Sequence, residues 1–171
     1  MPAIVSEIMS SRVLGLSPSA SLAEARTLMQ RHHIRHLPII ENDKLIGLIS
    51  QRDILAAQES SLEQGLNGEF LQQHQLSEIM ITGVTTVSPH AGVREAALYL
   101  QKHKYGCLPV VDKGKLVGIV TDSDFIGVAI HLLEVLDNQL NEQDDELDLS
   151  ELDDWQTEAD STGYRDDSPN G

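Results

Sequence analysis

Residues 37–53 read LPIIENDKLIGLISQRD, and nearly the same text returns at residues 108–124 as LPVVDKGKLVGIVTDSD. A shift of 71 positions aligns the longer stretches 6–55 and 77–126 without a gap, and 18 of the 50 aligned residues are identical. Unrelated stretches of this length would share only a few residues, so the chain contains a duplicated unit. Two copies are too few for a solenoid, and we expect two half-domains packed face to face.

Each copy carries the signals of a short strand followed by a helix. Residues 13–16 and 84–87 are rich in apolar and β-branched residues and precede a Ser-Pro pair, which indicates a short strand that ends there. Ser21, with Glu24 three residues later, forms a capping-box pattern that predicts the start of a helix. Apolar residues then recur at helical spacing, at Leu22, Ala25, Leu28 and Met29 in copy one and at Val93, Ala96, Ala97 and Leu100 in copy two.

A hairpin and a second helix complete each copy. Residues 39–40 and 45–49 are predicted to form two strands joined by a four-residue loop, residues 41–44. A second helix is predicted after Ser50 in copy one and after Thr121 in copy two. Each unit therefore has the order β-α-β-β-α, and the predicted fold class is α+β.

The formal net charge of −15 is concentrated at the C-terminal end of the chain. Residues 142–171, the acidic tail, hold 12 acidic residues and one basic residue, whereas residues 1–141 hold 15 acidic and 11 basic residues. Neither part has the basic face that is typical of nucleic-acid binding proteins. The tail has the composition of a disordered segment. From Leu147 to Trp155 its apolar residues alternate with acids, so the tail either solubilises the protein or docks on a partner.

Several classes of protein lack their usual signals in this sequence. No apolar run approaches the length of a membrane span and no signal-peptide core is present, so we expect a cytoplasmic protein without membrane contact. The single cysteine, Cys107, excludes an internal disulfide and a cysteine-based zinc site. No Gly-rich phosphate loop, nucleophile elbow or pair of carboxylates occurs, so we expect no catalytic residues and no enzyme activity.

The ordered set of Ile-Met, Ser-Pro, helix, Leu-Pro, glycine-containing hairpin and Ser/Thr-x-x-Asp occurs twice, and it resembles the CBS domain, named after cystathionine β-synthase. The resemblance defines repeats at residues 3–58 and 76–135, a linker at 59–75, and a remainder at 136–171 that holds the end of the last helix and the acidic tail. It implies a tandem CBS-domain fold with pseudo-twofold symmetry, in which two such pairs often form a dimer. It also implies clefts between the copies that bind adenine nucleotides or adenosyl ligands in many members.

The two Ser/Thr-x-x-Asp segments have the spacing of helix N-terminal caps. The same place can bind a nucleotide, because a helix N-terminus attracts phosphate and a carboxylate can accept the hydroxyls of a ribose. The resemblance implies that Asp53 and Asp124 are ribose ligands and that Ser50 and Thr121 lie near the phosphate or the ribose. Both roles are compatible, since one residue can cap a helix and bind a ligand.

Basic residues add to the candidate site. The resemblance implies a phosphate-binding cation five residues before the proline of the Leu-Pro pair, and His33 and Lys104 occupy those positions. The alternative is that they merely complement the dipole at the end of a helix. Arg52 is a further candidate, and it occurs in copy one only.

The two copies differ in charge near these candidates. Arg35 and His36 of copy one are replaced by Gly106 and Cys107 in copy two, which carries the extra acid Asp122. Copy one is therefore the more basic of the two. We expect one tight site and one weak or empty site.

The cluster His32, His33 and His36 raises a metal sensor as a further alternative, because imidazoles bind zinc. His33 and His36 flank a predicted helix end and strand start, so they need not share a face. No cysteine or nearby acid completes a ligand set, and we expect no metal site.

Residues 125–140 form the most apolar helix candidate of the chain. One face carries Ile126, Ile130, Leu133, Leu136 and Leu140. This face either packs on its own repeat or forms a contact between two copies of the chain.

Together these features predict a cytoplasmic regulatory module that requires no cofactor and binds AMP, ADP, ATP or S-adenosylmethionine. The predicted ligand-binding residues are Ser50, Arg52, Asp53, Thr121, Asp124, His33 and Lys104. A homodimer would signal the bound state to an unknown protein target. The alternative is a ligand-free interaction protein that acts through its dimer surface and its acidic tail.

Overall fold

The two copies fold into matching sets of helices and strands. The computed structural model describes residues 3–63 and 69–146. The first repeat contains α1 (Val5–Ile8), α2 (Leu22–His32), β1 (His36–Glu41), β2 (Lys44–Ser50) and α3 (Gln51–Glu63). The second repeat follows α4 (Phe70–Gln73) and contains α5 (Leu76–Ile79), α6 (Val93–His103), β3 (Cys107–Asp112), β4 (Lys115–Thr121) and α7 (Asp122–Glu146). The predicted α+β tandem fold is confirmed.

The capping box predicted at Ser21 is confirmed at the start of α2. The Ser21 N–H donates to Glu24 Oε2 at 2.7 Å, and the Glu24 N–H donates to Ser21 Oγ at 3.2 Å. The hydrogen bond from the Ser21 N–H, and after it the one that the Ser21 hydroxyl donates to the same oxygen at 3.0 Å, hold the pKa of Glu24 below its usual value. Helices α2 and α6 both end at a residue in the left-handed region, His33 with a φ of 53° and Lys104 with a φ of 58°.

The hairpins are confirmed, but the predicted four-residue loop is wrong. Glu41 pairs with Lys44, so the first loop contains only two residues, Asn42 and Asp43. Both have positive φ, 51° and 63°, which matches the right-handed twist of the two strands. The equivalent pairing joins β3 to β4. Because Asn and Asp tolerate the left-handed region, each strand extends one residue further into the predicted loop.

The short strands predicted at residues 13–16 and 84–87 are reduced to single bridges. Leu16 bridges Ile39 of β1, and Val87 bridges Val110 of β3, in parallel orientation. The bond from the Leu16 N–H to the Pro38 carbonyl measures 3.2 Å. Each bridge lies directly before the Ser-Pro pair, where the chain turns away, so only the last residue of each run reaches the hairpin.

The first residues of each repeat pack in the core of the other repeat. We call residues 4–10 and 75–81 the lead segments. Val5 is fully buried in a cluster with Ala96, Leu100, Leu108, Val110 and Val120 of the second repeat. Leu76 is fully buried in the cluster of the first repeat, which contains Leu22, Leu37, Ile39 and Ile49. Neither core is therefore complete without a segment from the other copy.

Backbone hydrogen bonds hold the lead segments in equivalent ways. The Val5 N–H donates to the Ala91 carbonyl at 2.9 Å, and the Leu76 N–H donates to the Ala20 carbonyl at 2.9 Å. These bonds are related by the same shift of 71 positions as the sequence repeat. Antiparallel bridges follow the same relation, between Ser10 and Ile119 and between Ile81 and Leu48. The exchange of lead segments gives the pair its pseudo-twofold symmetry.

The last helix, α7, contains the whole apolar stretch predicted at residues 125–140. Contacts within the chain define two units, and their boundary falls inside α7 after Val128. Beyond that boundary the helix exposes more than half of Ile130, Leu133, Leu136 and Leu140 to solvent. Neither α7 nor any other described helix combines the length and apolar character needed to cross a bilayer. Most of the acidic tail lies outside the described residues.

Candidate ligand-binding clefts

Two clefts lie between the repeats, and the symmetry relates their walls. The small cleft has a volume of about 240 Å³ and takes residues from the stretches 10–14, 33–38 and 119–123. The large cleft has a volume of about 730 Å³ and takes residues from the equivalent stretches 81–85, 104–107 and 48–53. Each cleft therefore combines one repeat's strand start with the Ser/Thr-x-x-Asp segment of the other.

This arrangement corrects the grouping of candidate residues by copy. Lys104 of the second repeat shares the large cleft with Ser50, Arg52 and Asp53 of the first. His33 of the first repeat instead shares the small cleft with Thr121, Asp122 and Ser123 of the second. The difference in charge between the two copies therefore does not produce one basic cleft and one acidic cleft, because residues of both copies line each cleft.

The Ser50 to Asp53 segment caps α3 and also faces the large cleft. The Ser50 N–H and the Ser50 hydroxyl both donate to Asp53 Oδ2 at 2.7 Å. The Asp53 N–H donates to Ser50 Oγ at 3.3 Å, which completes a capping box. Within the described part of the chain no hydrogen bond ends on Asp53 Oδ1, so this oxygen can accept from a ligand. The predicted cap is confirmed, and its geometry is compatible with binding.

The equivalent segment in the second repeat has two of these three hydrogen bonds, and its carboxylate is placed differently relative to its cleft. The Thr121 N–H and hydroxyl donate to Asp124 Oδ2 at 2.7 and 2.8 Å. Thr121 lines the small cleft, but Asp124 is not among the residues that form its wall. The two predicted ribose ligands therefore differ, since Asp53 borders its cleft and Asp124 does not.

An ion pair spans the two repeats at the edge of both clefts. Arg35 Nη2 lies 3.3 Å from Asp122 Oδ1, and both residues border the small and the large cleft. Their side chains are 61% and 51% exposed, so water screens the attraction. The equivalent positions, Gly106 and Gln51, carry no charge and cannot form this pair.

His36 lies between the two clefts and borders both of them. Burial lowers the pKa of His36, Arg35 and Arg52 lower it further, and the carboxylates of Asp122 and Asp53 oppose this shift. The ring is therefore neutral near pH 7. A Cβ atom placed on Gly106 would lie only 2.6 Å from His36 Cε1, so the ring packs directly on that glycine.

The histidine cluster is spread over different elements. His33 ends α2 in the left-handed region, and His36 begins β1. Across residues 3–63 and 69–146, no group of three His, Cys, Asp or Glu side chains is arranged to hold a metal ion. Of these histidines, His33 and His36 line cleft walls, and His32 lines neither cleft.

The large cleft also has an apolar wall that the sequence did not indicate. Val84, Leu100, Tyr105 and Phe125 line it together with Cys107. Burial, followed by the charge of Asp122, raises the pKa of the Cys107 thiol to about 12. These residues occur at core-like positions in the sequence pattern, so only the packing of the two repeats reveals that they face a cleft.

Comparisons with known proteins place the repeats in one family. A family model described as the CBS domain matches twice, at residues 5–60 and 76–131. The CBS domain-containing protein YhcV of Bacillus subtilis (strain 168) is 32% identical over 120 residues, which cover 70% of this chain and 81% of the relative.

Solved structures agree with this match. A crystal structure described as an acetoin utilization protein, AcuB, of Vibrio cholerae has a TM-score of 0.72 and 48% identity, and the alignment covers 80% of this chain and 98% of that one. The CBS domain pair of protein MJ0100, in complex with 5′-methylthioadenosine and S-adenosyl-L-methionine, has a TM-score of 0.63 and 29% identity over 75% and 96% of the two chains. CBSX2 in complex with AMP has a TM-score of 0.64 and 27% identity over 75% and 97%.

The two family matches coincide with the two structural repeats, and the solved relatives are similar over both repeats at once. The chain therefore belongs to the CBS domain family.

Proposed function

We propose that the protein is a regulatory module that binds one adenine nucleotide, or a related adenosyl ligand, in its large cleft. The observation that carries this proposal is that Asp53, Arg52, Lys104 and an apolar wall line the same cleft, which has a volume of about 730 Å³. Pockets for small ligands measure about 300 to 1,000 Å³, a range that includes the large cleft and excludes the small one at about 240 Å³. Related pairs bind AMP, or 5′-methylthioadenosine and S-adenosyl-L-methionine, in the solved structures.

Each wall of the large cleft suits one part of such a ligand. Asp53 Oδ1 can accept hydrogen bonds from the two hydroxyls of a ribose, as acidic residues do in dinucleotide folds. Arg52 and Lys104 supply positive charge for phosphates. Leu100 and Phe125 offer apolar surface for the adenine ring. AMP, ADP, ATP and S-adenosylmethionine all contain adenosine. The selection among them therefore depends on how the charged remainder of each ligand interacts with Arg52 and Lys104.

The bound state would be reported through a second copy of the chain and a protein target. The exposed apolar side chains Ile130, Leu133, Leu136 and Leu140 on α7 support a homodimer, because a surface helix with such a stripe buries it in a partner. A ligand shifts the equilibrium between two states only if it binds one of them better. The protein would act in the cytoplasm as a nucleotide sensor without catalysis of its own.

Calorimetric titration with AMP, ADP, ATP and S-adenosylmethionine tests the proposal. We expect micromolar binding of at least one ligand, loss of that binding in Asp53→Ala, and retention in Asp124→Ala, since only Asp53 borders its cleft. Circular dichroism melting of each variant checks that it is folded. Absence of heat with every ligand, from folded and ligand-free protein, would overturn the proposal and favour the ligand-free interaction protein.

A further inference from the structure

The two clefts are related by symmetry, yet their volumes are about 240 and 730 Å³. The difference in volume is accompanied by a difference in side-chain size at three equivalent positions of the two repeats. The small cleft has Arg12 where the large cleft has Gly83, and the pairs Arg35 and Gly106, and His36 and Cys107, follow the same pattern. In each pair the larger, basic side chain belongs to the first repeat.

Arg35 is held across the small cleft by a residue of the opposite wall. Its guanidinium contacts Asp122, which comes from the second repeat, at 3.3 Å. The ion pair therefore bridges the opening between the two repeats. Gly106 and Gln51 occupy the equivalent positions and carry no charge, so the large cleft has no second ion pair of this kind.

His36 and Arg12 add bulk where the other repeat has little. The His36 ring lies so close to Gly106 that an added Cβ would approach His36 Nε2 to 2.7 Å. At the large cleft, a Cβ added to Gly83 would meet no atom within 4 Å, so the position of Arg12 corresponds there to open space.

We infer that Arg12, Arg35 and His36 close the small cleft to nucleotides and thereby limit each chain to one bound nucleotide. The inference rests on the proposed function for its binding readout. In this view the three side chains determine whether a chain binds one nucleotide or two. Arg35 and His36 have this role in addition to lining the large cleft.

The test gives the first repeat the small side chains of the second. The variant Arg12→Gly, Arg35→Gly and His36→Ser uses serine at position 36 because it has the size of cysteine and adds no second thiol. Titration with AMP and with ATP should give a stoichiometry of one per chain for the wild type and two for the variant. Adding Asp53→Ala to the variant should remove the large-cleft site and leave one. A control variant with Arg94→Gln and Lys102→Gln removes two positive charges outside the clefts. It should keep the stoichiometry of one nucleotide per chain.

The outcomes separate this inference from the proposed function. A value of one for the triple variant, or of two for the wild type, would overturn the inference while the proposed function stands. A wild type that binds no nucleotide would overturn the proposed function. In that case, crystal structures of the ligand-free wild type and of the triple variant test the inference without any binding measurement. We expect the small cleft to open from about 240 Å³ towards the 730 Å³ of its counterpart, and an unchanged volume would refute the inference.

Discussion

Arg35 and Asp122, 87 positions apart in the chain, form a contact of 3.3 Å that ties one repeat to the other. Both side chains are more than half exposed, so the contact joins the two repeats but is surrounded by solvent like other surface ion pairs. The pair can therefore shape the small cleft and still contribute little to stability.

We expect the Arg35 to Asp122 pair to contribute little to folding. Exposed ion pairs are worth about 0.2 to 1 kcal/mol, because water and salt screen the charges. A double-mutant cycle with Arg35→Gln and Asp122→Asn, followed by urea unfolding, should give a coupling energy within that range. A coupling above about 2 kcal/mol would show that the pair is far more shielded than its exposure indicates.

We expect acid to destabilise the protein through His36. Burial lowers the pKa of His36 in the folded state, so the unfolded chain takes up a proton first as the pH falls. The stabilisation is complete above the ordinary histidine pKa of about 6.5 and is lost as the pH drops below it through the folded value. Urea unfolding between pH 8 and pH 5 should show a smaller pH dependence in His36→Gln than in the wild type. The exposed His90 provides a control, since His90→Gln should keep the wild-type slope.

We expect the thiol of Cys107 to be unreactive in the native protein. The side chain is buried and its pKa is raised to about 12, so almost no thiolate is present at pH 8. Reaction with a disulfide reagent at pH 8 should be slow in buffer and should yield one thiol per chain in denaturant. Rapid native reaction would mean that the wall of the large cleft opens in solution.

We expect Leu76→Ala to destabilise the protein by about 2 to 5 kcal/mol, because it removes a fully buried side chain from the core of the first repeat. The exposed Leu62, at 61%, provides a matched control, and Leu62→Ala should change the stability by no more than about 0.5 kcal/mol. Both values come from urea unfolding followed by circular dichroism. Equal effects of the two substitutions would show that the lead segment does not hold the core together.

Much of the fold could be predicted because its signals are local. The Ser21 capping box, the hairpins and the Ser50 cap each depend on residues a few positions apart, and each is confirmed. At Thr121 the backbone N–H and the hydroxyl both donate to Asp124, which is the carboxylate half of the same motif. The hairpin loop was predicted too long, because apolar alternation fades at Glu41 while backbone pairing continues. Residues 13–16 had strand propensity, but a strand also requires a partner along its length, and only Leu16 reaches one.

The clefts could be predicted only in part, since their walls depend on how the two repeats meet. Asp53 and Lys104 could be named as site candidates because the resemblance to the CBS domain implies roles for residues at their positions. Their placement in one cleft came from the exchange of lead segments, which no spacing within a repeat can reveal. The same holds for Phe125, whose pattern fits a core residue and whose side chain borders the large cleft.

The exchanged lead segments have a consequence for how the chain acquired its form. One 71-residue unit alone would expose the part of its core that the lead segment of the other unit covers, as Leu76 and Val5 do here. Two separate units would therefore associate by trading these segments, and a linker would then convert that association into one chain. The geometry of the protein is that of a fused, segment-swapped dimer, in which Arg12, Arg35 and His36 mark how far its two halves have since diverged.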